Sequence, residues 1–467
     1  MRKALALFLT LLLCALLCVA VAAQWVAAPT EDLRFTETAH IGDIAATAGL
    51  EMALSAQLRQ HLRWDSTLRY DGAQPASRTD FTFSQAQLYP DATHVPTGIT
   101  LSDALYLDPY SRRNDAISQA YADLLAETEP GTTGRRLIRL ADYYSYYPLA
   151  VDIDLPGHTS QYAQYWSDGD EPIDAVTAAL LDAICIPMLE DQYYILSIDK
   201  NVDGSSNSSG GSSAELGDSY SIYANSVLGD NACYFWFSNR TNQGHLVDTS
   251  HIPGGYGVYC LRWSGEGDAF TVEPLSVLYP VDPAAEIVYL GINGRHDRLL
   301  LHTVEGGRYL VTVLDTQTGE VLQRLDITSY GPDDWSEVDA GDDYVMIRFN
   351  RRGVCVLAAG EDGSYDIRIQ VDFQPQELDA DCQIWNSYWS RQTAFDGQRL
   401  AVAGILEPDD DRQPVCGFYL AVYDASGLRY YGEYHSSLDD ANQYAAGYSD
   451  RIQPDYNSDA VRLNWTK

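Results

Sequence analysis

The oxygen-bearing side chains that follow the apolar run Tyr193 to Ile198 have the spacing of a calcium loop. Residues 199–204 have the form D-x-N-x-D-G, and Asn207 stands at the ninth place. Alternating oxygen ligands and a glycine at the sixth place let a loop wrap around Ca²⁺, but Gly210 occupies the place where an EF-hand needs a bidentate Glu. The segment predicts either a shorter calcium loop or a metal-free polar turn. The predicted ligands are Asp199, Asn201, Asp203 and Asn207.

No other motif commits the chain to a reaction. The histidines are scattered, and the sequence has no H-E-x-x-H, C-x-x-C, G-x-S-x-G, P-loop or G-x-G-x-x-G motif. Carboxylates are concentrated in residues 333–343 and 407–411. A glycosidase uses paired carboxylates, whereas runs of like charge are typical of solvated loops. We therefore expect solvated loops here and predict no catalytic residue.

Aromatic side chains are concentrated near polar segments in the first half of the chain. The run Tyr143 to Tyr147 holds four tyrosines, and Tyr162, Tyr165 and Trp166 follow. Exposed rings of this kind stack on sugars, and buried ones pack between sheets. Both interpretations stay open from the sequence.

The N-terminus predicts export. Arg2 and Lys3 precede an unbroken apolar run from Ala4 to Ala23, and Ala20-Val21-Ala22 satisfies the A-x-A rule for signal peptidase. Residues 1–23 are therefore expected to be a signal peptide, or else an uncleaved N-terminal anchor. In both cases residues 24–467 end up outside the cytoplasm, which predicts a secreted or cell-surface protein.

The charge of the chain restricts its partners. The sequence has 30 Lys and Arg against 66 Asp and Glu, a formal net charge of -36. Such a field repels phosphate backbones and anionic lipid surfaces, so we expect neither nucleic acid nor a membrane beyond the anchor as a partner. Cations, basic proteins and neutral glycans stay open. The same charge keeps molecules apart, and we expect a monomer.

Six cysteines follow the apolar N-terminal run. Their wide spacing allows up to three disulfides but indicates no pairing, and free thiols buried in strands are the alternative. These residues are Cys185, Cys233, Cys260, Cys355, Cys382 and Cys416.

The second half of the chain contains a repeated unit of apolar strand, loop, apolar strand, tight Asp- and Gly-containing turn, and third strand. The most legible copy reads Leu400 to Val402, then Phe418 to Tyr423, then the turn Asp424 to Gly427 and Leu428 to Tyr431. Further copies begin near Ala232, Asp297 and Asp343. Their spacing of about 45 to 60 residues is typical of one four-stranded sheet per repeat.

This pattern of a strand, a D-x-x-T/S-G turn and another strand resembles the β-propellers of the WD-repeat, YVTN-repeat and quinoprotein-like groups, over Asp230 to Lys467. The resemblance implies an all-β fold of about seven four-stranded blades, with six or eight as alternatives. It names no specific family. The strand-like segment Ala460 to Trp465 needs partners, and Leu50 to Tyr70 is expected to supply them, sealing the ring between the two ends of the chain.

Two departures from the repeat are expected in the first half. Apolar residues at helical spacing predict a helical insertion near 112–127, and Ala175 to Ile186 predicts a second helix. Residues 204–214 are rich in Ser and Gly and are expected to be a flexible loop.

Taken together, these features of the sequence favour one exported propeller that binds an unknown protein or glycan. The alternative is an extracellular glycan-directed hydrolase with its site at the mouth of the propeller channel, and no cofactor other than Ca²⁺ is predicted.

Overall fold

The structure, a computed structural model, describes most of the chain. The described residues are 2–27, 33–58, 62–84, 95–103, 116–163, 174–212, 217–265, 267–350, 352–378, 391–406, 417–437 and 461–466.

Within these ranges the chain is predominantly β. The α-helices are α1 (Arg2–Ala27), α2 (Ala116–Glu127) and α3 (Ala175–Ala183). The strands up to residue 264 are β1 (Phe35–Gly42), β2 (Leu50–Leu58), β3 (Leu62–Tyr70), β4 (Ala76–Phe83), β5 (Gly98–Asp103), β6 (Thr132–Arg139), β7 (Leu149–Leu155), β8 (His158–Ala163), β9 (Tyr193–Lys200), β10 (Ser206–Ser212), β11 (Ala224–Leu228), β12 (Ala232–Phe237) and β13 (Gly257–Ser264). The later strands are β14 (Thr271–Val272), β15 (Ser276–Pro280), β16 (Glu286–Ile292), β17 (Arg298–Glu305), β18 (Arg308–Asp315), β19 (Val321–Ser329), β20 (Ser336–Ala340), β21 (Tyr344–Phe349), β22 (Gly353–Ala359), β23 (Tyr365–Asp372), β24 (Gln392–Phe395), β25 (Leu400–Ile405), β26 (Gly417–Asp424), β27 (Gly427–Ser436) and β28 (Val461–Trp465).

These strands form seven separate antiparallel sheets among the described residues, and the chain divides into two compact units. Unit 1 comprises Met1–Thr93 and Trp335–Lys467, and unit 2 comprises His94–Asp334. The predicted all-β class is therefore confirmed.

Unit 1 contains three sheets. Their strand orders are β20-β21-β22-β23, β1-β27-β26-β25-β24 and β28-β2-β3-β4. Alternating apolar side chains of neighbouring sheets pack together, as Met346, Val356, Val402 and Tyr419 do in one core cluster. In the structure each three-strand repeat predicted for this unit has an additional first strand, β20 or β24, which the sequence pattern did not predict.

Segments from both ends of the sequence complete sheets of unit 1. Strand β28 pairs with β2, with Val461 opposite Leu54 and Trp465 opposite Leu50. This confirms the predicted pairing of the isolated last strand. Strand β1 pairs with the edge of β27, where Phe35 lies opposite Ser436. The sequence did not predict the second pairing.

Among its described residues unit 2 contains four sheets, and three of them do not have four strands. The orders β16-β17-β18-β19 and β11-β12-β13 follow the chain, with β14 and β15 both pairing with β13. The orders β5-β7-β8 and β10-β9-β6 interleave, because β6 pairs with β9 while the hairpin β7-β8 joins β5. Over the described residues, the sheets of this unit are therefore not uniformly four-stranded.

The helices of unit 2 cover apolar parts of its core. On α2, Ala120, Tyr121 and Leu124 are buried, as their spacing predicted, and residues 112–115 of the predicted insertion lie outside the described residues. The carboxylate of Asp174 caps α3 by accepting hydrogen bonds from the backbone N–H groups of Val176 and Thr177.

The Ser- and Gly-rich segment differs from its prediction. Residues Ser206–Ser212 form β10, which pairs in register with β9 from Ser206 opposite Lys200 to Ser212 opposite Tyr194. The expected flexible loop is wrong over these residues because backbone hydrogen bonds to a strong neighbouring strand need no apolar side chains on the partner.

No helix in the described stretches is both long enough and apolar enough to cross a membrane.

Candidate functional site

The predicted calcium ligands lie on the hairpin between β9 and β10. Asp199 is opposite Asn207 in the strand register, and its Oδ1 accepts a hydrogen bond of 2.5 Å from the Thr133 hydroxyl. Asp203 accepts hydrogen bonds from the backbone N–H and the hydroxyl of Ser205, at 2.9 and 2.6 Å. These bonds from Ser205 lower the pKa of Asp203.

The Asn201 amide also donates to the Ser205 hydroxyl, at 2.8 Å. Asn201, Asp203 and Ser205 therefore form a hydrogen-bonded polar turn. Among the described residues, no three His, Cys, Asp or Glu side chains are grouped as a metal site would require. The calcium loop stays a prediction.

The acidic run at 333–343 is not simply a solvated loop. Glu337 and Asp339 lie on β20, and their carboxylates contact two buried arginines, Arg348 and Arg391, whose side chains are only 3% and 8% exposed. Arg391 Nη2 lies 3.0 Å from Glu337 Oε2 and 2.9 Å from Asp339 Oδ2.

Burial opposes ionisation of Glu337, but the two arginines outweigh it and lower the pKa of this carboxyl. The network joins β20, β21 and the segment before β24. The carboxylates of Glu337 and Asp339 therefore have a structural role. The second acidic run, 407–411, lies outside the described residues.

The aromatic run before β7 is divided between the core and the surface. Tyr147 is buried and donates a hydrogen bond to Gln192 Oε1, and its ring lies edge-on to Tyr220 at 5.0 Å. Tyr143 and Tyr146 are 38% and 44% exposed. The run thus supplies an anchor and two surface rings. The side chain of Tyr162, and all of Tyr165 and Trp166, lie outside the described residues.

Two further segments of unit 2 adjoin these tyrosines. Tyr220 donates a 2.7 Å hydrogen bond to the Ser238 carbonyl, and the exposed Tyr146 ring lies 5.9 Å from the His251 ring. We call residues 143–147, 218–223 and 238–251 the loop platform. Residues 143–147 and 218–223 connect different sheets, and residues 238–251 connect β12 with β13 inside one sheet. Such connections are where a β-rich scaffold commonly carries its binding residues.

Hydrogen bonds hold two of these segments together. The backbone N–H and the side-chain amide of Asn242 donate to Ser219, at 2.7 and 2.6 Å. The backbone N–H of Ser238 donates to the Tyr223 carbonyl at 2.9 Å. The platform is therefore a preformed surface, because its backbone is tied at several points along its length.

Asp218 is the acidic centre of this arrangement. Its carboxylate accepts from the backbone N–H groups of Ser219 and Gln243, at 2.9 and 3.1 Å, and lies 2.7 Å from His245 Nδ1. Burial opposes ionisation, but the hydrogen bonds outweigh it and lower the pKa of Asp218. Asp218 therefore stays a carboxylate well into the acidic range.

The sequence did not single out Asp218, Asp248, His245 or His251. Asp248 and His251 are exposed, and their side chains are 3.8 Å apart. No local motif identifies these residues, because they come together only when residues 238–251 fold against the tyrosine run.

The cysteines that the structure describes carry free thiols. Three of them, Cys233, Cys260 and Cys355, are buried, and Cys185 is partly exposed. Because Cys382 and Cys416 lie outside the described residues, at most one of the three disulfides allowed by the sequence can form.

Comparisons with known proteins assign no family. The sequence matches no known family, and no curated protein is similar to it. One similar solved structure is the β-propeller domain of Cps50 (Swd1) from Myceliophteria thermophila, at 11% identity and a TM-score of 0.27, covering 64% of this chain and 86% of that one.

Two other similar structures come from enzymes. The Pseudomonas aeruginosa periplasmic gluconolactonase PpgL is 12% identical with a TM-score of 0.31, covering 90% of this chain and 100% of that one. A post-proline cleaving enzyme from Rickettsia typhi is 9% identical with a TM-score of 0.26, covering 86% of this chain and 51% of that one. Likenesses at this level assign neither a fold nor an activity to this chain.

Proposed function

We propose that the protein is an exported β-propeller that acts as a binding or scaffolding module at the cell surface, with the loop platform as its contact surface.

The ring is supported by the strand pairings of unit 1. A propeller blade has two apolar faces and needs neighbours on both, so a stable ring must be sealed. The pairings of β28 with β2 and of β1 with β27 are suited to that role, since each places an end segment of the chain in a sheet built mainly from the other end. Small-angle X-ray scattering tests the ring, because two separate units would give a more extended particle than a closed disc.

Export is supported by the charged and apolar N-terminal segment. We expect the mature chain to begin at Ala23 or Gln24, which intact-mass measurement of the exported protein reads directly. Ala22→Phe places a bulky side chain next to the cut and should block cleavage. Normal cleavage of that variant would contradict the predicted site.

The observation that carries the binding function is the exposure of Tyr143 and Tyr146 beside residues whose backbone is held by hydrogen bonds. Surface tyrosines on a preformed base supply contact area at low entropic cost, because the ring has few rotatable bonds. Buried Tyr147, which donates a hydrogen bond to the buried Gln192, fixes the position of this run.

The test is a screen of glycans and peptides against the purified protein and against the double variant Tyr143→Ala with Tyr146→Ala. Ile367→Ala, which truncates an exposed apolar side chain on β23, is the matched control. We expect a ligand whose binding is lost in the double variant and kept in the control. Equal binding by all three proteins would refute the platform as the contact surface.

A further inference from the structure

The loop platform and the side chains at its border carry more negative than positive charge. The acidic side chains are Asp142, Glu190, Asp191, Asp218 and Asp248. The basic ones are Arg139 and Arg240. This local excess has the same sign as the net charge of -36 of the whole chain, so the local field and the long-range field favour the same ligands.

Both arginines are engaged with the protein itself. Arg139 Nε donates to the Glu190 carbonyl at 2.8 Å, and its other guanidinium nitrogens lie 3.3 and 3.5 Å from carboxylate oxygens of Asp142 and Glu190. Arg240 donates to the carbonyl oxygens of Gly244 and Ala284, at 3.3 and 2.6 Å. The two arginines thus anchor the platform, and the side chains on its outer face are carboxylates and aromatic rings.

The exposed tyrosines complete the arrangement. An ammonium or guanidinium group over a tyrosine ring is attracted by the negative face of the ring, and a nearby carboxylate adds to that attraction. Tyr146 lies next to His251, and His251 is 3.8 Å from the carboxylate of Asp248. One exposed ring and one exposed carboxylate are thus within reach of a single Lys or Arg side chain.

We infer that the platform binds a basic segment of a partner protein, with Lys or Arg side chains placed over Tyr143 and Tyr146 and facing the exposed Asp248. This inference rests on the proposed binding function and names the chemistry of its partner. Charge complementarity favours a basic polypeptide over a neutral glycan, because a glycan gains nothing from the field and shares only the rings.

The experiment measures binding of a peptide of alternating Arg and Ser to the exported protein, beside an alternating Glu and Ser peptide. We expect the basic peptide to bind and the acidic one not to bind. Binding should weaken as salt is raised from about 0.05 to about 0.3 M, because screening shortens the reach of the field. Tyr146→Ala and Asp248→Asn should each reduce the affinity about three- to fivefold.

A matched control separates the platform from non-specific attraction to an acidic protein. Glu320→Gln removes one charge at the exposed turn between β18 and β19. The Gln317 carbonyl of that turn accepts a hydrogen bond from Arg262, near the C-terminal end of β13. The platform segment 238–251 approaches the opposite end of this strand, at Gly257. The control should keep the affinity of the unaltered protein within about twofold.

The outcomes distinguish the inference from the function on which it rests. A glycan that binds through Tyr143 and Tyr146 while the basic peptide does not would overturn the basic partner and keep the binding platform. An equal loss of affinity for the basic peptide in Asp248→Asn and Glu320→Gln would show non-specific electrostatic attraction rather than a binding site. That result would overturn the inference. A screen with no platform-dependent ligand of either class would overturn both.

Discussion

The guanidinium carbon of Arg399 lies 4.1 Å from the centroid of the Trp465 ring. The same side chain donates hydrogen bonds of 2.9 and 3.0 Å to the carbonyl oxygens of Ala46 and Ala48. Trp465 in turn donates from its indole N–H to the Ala394 carbonyl at 3.1 Å. One arginine therefore connects an early segment of unit 1, its last strand and the hairpin β24-β25.

Arg399→Ala should lower the free energy of unfolding of unit 1 by about 2 to 3 kcal/mol, since it removes the ring contact and leaves two carbonyl groups without their donor. Arg399→Lys should recover only part of this loss, because an ammonium does not reproduce the fork of the guanidinium. Urea unfolding measures both variants. Arg368→Ala breaks an exposed pair with Asp366 and should change stability by less than about 0.5 kcal/mol; an equal effect of the two Ala variants would contradict the connecting role of Arg399.

Glu377 should make unit 1 less stable as the pH rises. The side chain is 4% exposed, the Tyr423 hydroxyl lies 3.4 Å from its Oε2, and burial raises the pKa from 4.5 to about 7. The folded state therefore holds the proton more tightly than the unfolded state, so this stabilisation is complete below pH 4.5 and is lost as the pH rises through 7.

Glu377→Gln keeps the shape of the protonated side chain without the ionisation. At pH 8 it should be more stable than the unaltered protein by up to about 3 kcal/mol, and at pH 4 the two should agree. Thermal unfolding at the two pH values measures the difference. A constant difference across this range would show that Glu377 has the same pKa in the folded and the unfolded states.

His302 in unit 2 should have the opposite dependence. Its side chain is fully buried and lies 2.9 Å from the Tyr309 hydroxyl through Nδ1, and burial lowers the pKa from 6.5 to about 3. The unfolded state binds the proton more readily, so the stability present above pH 6.5 decreases as the pH falls towards 3. His302→Gln should reduce the loss of stability of unit 2 at acid pH. Hydrogen exchange of the unit 2 amides measures this loss separately from unit 1. An unchanged loss of stability in the variant would show that other groups cause it.

Alkylation should distinguish the cysteines by burial. In the folded protein, without reductant, we expect Cys185 to react and Cys233, Cys260 and Cys355 to be protected, because burial raises their pKa values to about 12, 11 and 12. All four should react after unfolding in the same buffer. Mass spectrometry of the labelled peptides identifies each residue, and a cysteine of these four that reacts only after reduction would reveal a disulfide.

The calcium loop predicts a higher melting temperature with Ca²⁺ than with a chelator, since a ligand that binds only the folded state stabilises it. Asp199→Asn should remove the shift. Asp362→Asn is the matched control, because Asp362 caps a turn in the same way as Asp203, through the N–H and hydroxyl of Ser364. No shift in the unaltered protein would leave only the polar turn.

The sequence predicted strands best where apolar residues fill both faces. In β26, Phe418 to Tyr423 are all buried, and such a run has one stable environment, between two neighbouring sheets. The pattern could not reveal β24, whose four residues Gln392–Phe395 are only half-buried, or β10, which consists of Ser, Gly and Asn. These strands depend on the backbone hydrogen bonds of their partners rather than on their own side chains.

The candidate site was less predictable than the fold. The tyrosine run was visible in the sequence, but nothing in it separated the anchored Tyr147 from the exposed Tyr146. That difference arises from Gln192 and His251, which lie far away in the chain and contact the run only after folding. The ion pairs of Glu337 and Asp339 could not be predicted either, because the sequence does not show that Arg348 and Arg391 lie beside these acidic side chains in the fold.

The discontinuous composition of unit 1 has a consequence for synthesis on the ribosome. Strands β2, β3 and β4 emerge early, but their sheet is completed by β28, and His94–Asp334 is translated in between. At about 5 to 20 residues per second, the early strands wait about 20 to 80 s for that partner, while unit 2 already has all of its own residues. We expect nascent chains to gain protease resistance in unit 2 first, and the early strands to be the segment that chaperones must shield.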